Sequence, residues 1–136
     1  MTPNEQARFD RLVEDAIEVL PAGVRELLDE CPVVVLDEPD EAMLRDVGID
    51  PGDQEALDEL CGLHSGIAVT ERSVEQSAEL PPVIHLFRRG IVSLAGGWEQ
   101  DQADEAVYEE VWTTLLHEIG HQFGLDEDDL ANLGYD

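Results

Sequence analysis

The run from about Gln102 to Phe123 constrains this chain most. Val107, Val111, Leu115 and Ile119 recur at helical spacing, so the segment predicts a long amphipathic helix that must bury one face. Gly124 follows where a left-handed C-cap residue is expected. The same helix carries His117, Glu118 and His121 near its end, in the stretch "LLHEIGHQFGLDEDDL" of residues 115–130. Residues four apart lie on one face of a helix, so the two imidazoles can reach one ion. Glu118 stands about 100° further round, at the rim of that face. There it can reach a water on the metal without being a ligand. This HExxH arrangement supplies two nitrogen ligands and a general base from one helical turn.

A catalytic zinc usually takes three protein ligands and keeps one position open. Gly124 lets the chain double back, which makes Asp126, Glu127, Asp128 and Asp129 candidates for the third. A solvated acidic tail and a helix N-cap are the competing roles for these acids.

Upstream, Thr2-Pro3-Asn4-Glu5 has the pattern of a capped helix start, with Pro3 at the first helical position. Phe9, Leu12, Val13, Ala16, Ile17 and Leu20 form its apolar stripe, and Pro21 ends it before a second short helix in "AGVRELLDE". Val33 to Leu36 reads as a buried strand. Residues 37–60 read as an acidic surface excursion with at most short helices. A further strand is expected near Ile67 to Thr70. "PPVIHLFRRG" predicts a strand with Val83, His85 and Phe87 on one side and Ile84, Leu86 and Arg88 on the other. "IVSLAGG" is expected to pair with it through a turn near Gly90, and the last residues, "DEDDLANLGYD", to form a helical turn or two.

The length, 136 residues, suits one domain spanning residues 1–136. Thirty-three acids face seven bases, all arginine, for a net charge of −26. Such a chain repels phosphate backbones, so nucleic acid and anionic membranes are excluded as expected partners. The acid-rich surface fits high solubility first and nucleic-acid mimicry second. "MTPNEQARFD" has no basic or apolar leader pattern, and no apolar run reaches bilayer length. Cys31 and Cys61 are far apart and expected to remain reduced, which fits a cytoplasmic protein.

HExxHxxG followed two residues later by an acid resembles the extended zincin motif of metzincins and Asp-zincins. By that resemblance the third ligand falls ten residues after His117, at Glu127, with Asp126 and Asp128 as fallbacks. The order "FDRLVEDAIEVLP", "VVVLDEP", "GLHSGIAVTERS", "PPVIHLFRR" and "HEIGHQFGLDEDDL" is similar to that of the small bacterial zincin-like, or minimal, metallopeptidases. The resemblance implies a compact α+β zincin-like fold, a small mixed sheet packed on the N-terminal helix and the long HExxH helix. It also implies Zn2+ and a peptide or protein substrate, hydrolysed by a zinc-bound water that Glu118 activates. Residues 83–88 are by resemblance the edge strand along which a substrate lies. The sequence departs from those families in two ways. No Met follows Glu127, so the metzincin Met-turn has no counterpart in it, and a Glu stands where metzincins have His and Asp-zincins Asp.

His85, Arg88, Arg89 and Tyr135 are candidates to assist an oxyanion, although a packed histidine, arginines that face solvent or pair with acid, and a frayed tail are favoured for them. His64 is expected to have no metal role. The competing functions are a zincin scaffold kept for binding or regulation with little turnover, and a small His-rich endoribonuclease. The endoribonuclease needs a third His where this chain has an acid.

Overall fold

The computed structural model describes residues 1–65, 83–125 and 128. In chain order the elements are α1 (Pro3–Glu18), α2 (Ala22–Glu30), β1 (Val33–Leu36), α3 (Glu41–Asp46), α4 (Gln54–Glu59), β2 (Gly62–Ser65), β3 (Val83–Phe87), α5 (Arg88–Ala95) and α6 (Ala103–Phe123). The class is α+β, with a three-stranded mixed sheet among the described residues.

Local chemistry starts the helices where the sequence marks them. The Thr2 N–H donates to Glu5 Oε1 at 2.9 Å, and the Glu5 N–H donates to Thr2 Oγ1 at 3.1 Å. Those bonds from Thr2 hold the Glu5 carboxyl below its ordinary range. Asp40 and Asp53 accept from the Met43 and Ala56 N–H groups and cap α3 and α4. Both helices have six residues, in keeping with a surface excursion.

The sheet order is β1-β3-β2, with β1 parallel and β2 antiparallel to β3. Val33 and Val35 of β1 and Ile84 and Leu86 of β3 enter the core cluster. Phe9, Val13, Ala16 and Leu20 of the first helical segment meet them there, together with Val107, Val111, Leu115 and Ile119 of α6. Phe87 is also buried and, by strand alternation, faces the other way.

Three expectations need correction. Val33–Leu36 is not buried on both faces: β1 is an edge strand among the described residues, and Val34 is 37% exposed. "IVSLAGG" does not pair with β3, because Arg88–Ala95 is helical. Ile91 and Ala95 stand one turn apart on its inner side, and Gly96 ends it at φ 102°. Tertiary context overrides the β preference of Ile and Val here. Residues 83–88 do not form an edge strand, since β3 is bonded on both sides. The expected strand at 67–70 falls outside the described residues, as do the expected turns of residues 126–136 except at Asp128, which is helical.

Arginine pins the junction between β3 and α5. The Arg88 side chain is 12% exposed, and its Nε and Nη1 donate to Asp10 at 3.0 Å and Asp37 at 2.8 Å. Burial pushes Asp37 up, but hydrogen bonds from Arg88 and Gln6 outweigh it and leave the carboxyl below its ordinary range. Arg89 donates to Asp58 and Glu38 and ties α4 to the end of β1. Gly90 follows directly, and a Cβ there would overlap the Leu60 carbonyl. Gly90→Ala is therefore expected to destabilise the fold by about 3 kcal/mol, at the upper end of ordinary overpacking costs. A urea titration reads this directly, and an unchanged midpoint would contradict it.

Candidate metal centre

Helix α6 is covered on more than one side, which decides what its functional residues can do. Besides the core positions, Thr114 is 9% exposed and Glu118 7% exposed. The fold covers these two with β2. An ideal Cβ placed on Gly62 would stand 3.1 Å from Glu118 Cγ and 2.9 Å from Thr114 Cγ2. The stem of Glu118 thus lies between α6 and β2, rather than on an open rim as the helix geometry alone implies.

His117 and His121 occupy the exposed side of the same helix. Their ring centroids are 4.3 Å apart with 46° between the planes. Two nitrogen donors are therefore side by side next to a buried carboxylate, which fits part of a zinc site. The helix stops immediately after them. Gly124 adopts φ 64°, and the Gly124 and Leu125 N–H groups both donate to the Gly120 carbonyl. This turn closes the helix just before the acidic run.

Among the described residues, no three His, Cys, Asp or Glu side chains gather as a metal-holding group. Asp128 is exposed. Glu127, Asp126, Asp129 and Tyr135 fall outside the described residues. Of the expected donor set, the structure brings together His117 and His121.

The auxiliary candidates have structural occupations. His85 pairs in register with Leu63 and Val34. Alternation turns its ring to the face opposite Ile84 and Leu86, away from α6. The ring runs parallel to Phe87, and burial lowers its pKa, partly offset by Asp40. Arg88 and Arg89 are engaged by carboxylates. His64 pairs with Ile84 in β2.

Sequence reasoning missed Cys61, Gly62 and Thr114, which border Glu118. Thr114 left a trace, as a polar residue one turn before Glu118. The pairing of Cys61 and Gly62 with α6 is non-local and leaves none. Burial pushes the half-buried Cys61 thiol up to about 11; a hydrogen bond from Thr114 opposes this, and the charges of Glu110 and Glu118 add to it. Gln122 is fully buried one turn beyond Glu118, and neither its Oε1 nor its Nε2 has a hydrogen-bond partner among the described residues.

Cys31 and Cys61 form no disulfide among the described residues. No helix among the described residues is long and apolar enough to cross a membrane. Because the raised pKa keeps Cys61 protonated near neutrality, iodoacetamide at pH 8 is expected to label it about a hundredfold more slowly than a free cysteine. The rate should climb as pH approaches 11, the value to which the thiol is raised. Labelling at the free-thiol rate, followed by mass spectrometry, would contradict the burial argument.

A family model described as zincin-like metallopeptidase matches residues 28–135, which take in β1 through α6 and the HEIGH stretch. No curated protein sequence matches the chain.

Proposed function

The chain belongs to the zincin-like metallopeptidase family, and from that premise we propose that it hydrolyses peptide bonds with zinc held by His117, His121 and Glu127. The observation that supports this reading best is the imidazole pair, 4.3 Å between centroids, beside a Glu118 that is 7% exposed. A general base needs a fixed position near the attacking water, and packing between helix and strand provides one. The left-handed turn at Gly124 supports a returning third ligand.

When bound, zinc supplies Lewis acidity, polarising the peptide carbonyl and lowering the pKa of water. Glu118 takes the proton of the attacking water and delivers it to the leaving amine. His117 and His121 would hold the metal through imidazole nitrogens from adjacent turns, and Glu127 would add a carboxylate oxygen. Among the described residues β2 is the edge strand against α6, which makes it the strand beside which an extended peptide would add.

The test separates metal from chemistry. Glu118→Gln is expected to bind one zinc per chain as the native protein does, and to lose at least about a thousandfold in kcat. His117→Ala and His121→Ala should lose both zinc and activity, and Glu127→Ala should weaken zinc binding. A Glu118→Gln protein with native turnover, or a native chain that takes up no zinc at saturation, would overturn the proposal.

The charge of −26 bears on substrate choice. Arg8, Arg45, Arg88 and Arg89 are each paired with a carboxylate, and the excess of acids still leaves the surface strongly negative. Cleavage is expected to favour Lys- or Arg-containing peptides over neutral ones. That preference should shrink about tenfold between low and high salt, as screening predicts. A salt-independent preference measured as kcat/KM on charge-matched peptides would contradict the electrostatic origin.

A further inference from the structure

Gly62 opens β2, paired with Leu86 and directly over α6. Glycine weakens a strand interior, so its presence calls for a cause. Backbone conformation is not the cause, because the glycines with positive φ are Gly48, Gly96, Gly97 and Gly124. Space is. A methyl group at Gly62 would meet Thr114 Cγ2 at 2.9 Å, the His85 carbonyl oxygen at 3.0 Å and Glu118 Cγ at 3.1 Å.

Those three neighbours differ in how easily they yield. The His85 carbonyl belongs to the central strand. Thr114 is a short, branched side chain wedged at 9% exposure. Glu118 has the longest and most adaptable stem of the three. The strand itself is held down. The Phe87 N–H donates to the Cys61 carbonyl at 2.8 Å, and Leu60 lies on Gly90 with no room for a Cβ between them. Extra volume at position 62 is thus relieved mainly by moving Glu118.

We infer that Gly62 is a positioning residue for Glu118: its missing side chain sets how deeply the glutamate stem lies between α6 and β2, and so where the carboxylate ends relative to His117 and His121. This rests on Glu118 as general base, but the placement itself is testable without turnover.

The variants are Gly62→Ala, Thr114→Ser and the two combined, all in the full chain. Crystal structures of Gly62→Ala and the native protein, both without zinc, should show Glu118 Cγ displaced while the His117 and His121 rings stay together. Loaded with zinc, Gly62→Ala should lose about a hundredfold in kcat, the scale of a small misplacement of a reacting group. KM and zinc affinity should stay within about twofold of native. Thr114→Ser removes the nearest clashing methyl. In the double variant it should restore about tenfold of kcat, leaving a residual deficit of about tenfold from the Glu118 Cγ contact, which Thr114→Ser does not remove.

An unmoved Glu118 would overturn the inference. So would a kcat loss that Thr114→Ser does not relieve, or zinc affinity falling in step with kcat. Should Gly62→Ala alone fail to fold, the double variant is compared with Thr114→Ser, where the added methyl must still shift Glu118; no shift overturns the inference. Should the native chain cleave no peptide, the peptidase reading falls, and the crystallographic displacement alone decides the role of Gly62.

Discussion

Helix α6 must find cover for Val107, Val111, Leu115 and Ile119, and the other elements are arranged around that burial. Each such side chain contributes about 1.5–3 kcal/mol when removed from water. The α1 stripe and the core faces of β1 and β3 provide that cover. β2 covers a second side, at Thr114 and Glu118. The exposed strip that remains includes His117 and His121. The packing that stabilises the helix therefore also separates a buried carboxylate from two accessible imidazoles by a fraction of a turn.

Electrostatics work against a chain with 33 acids and seven arginines, and the few cations are placed accordingly. Arg88 joins Asp10 of α1 to Asp37 at the end of β1, while Arg89 joins α4 to Glu38. These contacts hold the connection after β3, alongside the Gln6–Asp37 hydrogen bond and the apolar contacts between sheet and helices. With Gly90 beneath Leu60, they also fix the approach of β2 to α6. The geometry around Glu118 is in this sense built partly at a site remote from it.

Where local chemistry decides the structure, the sequence was legible. The capping box at Thr2 and Glu5, the stripe from Phe9 to Leu20, the span of α6 and the left-handed turn at Gly124 all follow from spacing and residue type. Two histidines four apart could be placed on one face for the same reason. Strand order could not be read, because pairing is non-local. Residues 83–87 have the pattern of a strand whether central or at an edge, and only the partners tell which. "IVSLAGG" misled because β-branched residues also pack well on a short buried helix. Gly62 was illegible for a related reason. Its neighbours Thr114 and Glu118 are more than fifty residues away in the chain, and a glycine in a strand announces close approach without naming the partner.

In the proposed site one zinc ion is held by His117, His121 and the Glu127 carboxylate. X-ray absorption at the zinc edge, on the chain loaded with one equivalent of metal, reads that ligand set. The expected result is a nitrogen and oxygen shell with the signature of two imidazoles and no sulfur. A sulfur scatterer would instead draw Cys61 or Cys31 into the site, and a shell without imidazole would remove His117 and His121 from it; either result would overturn the proposed ligand set.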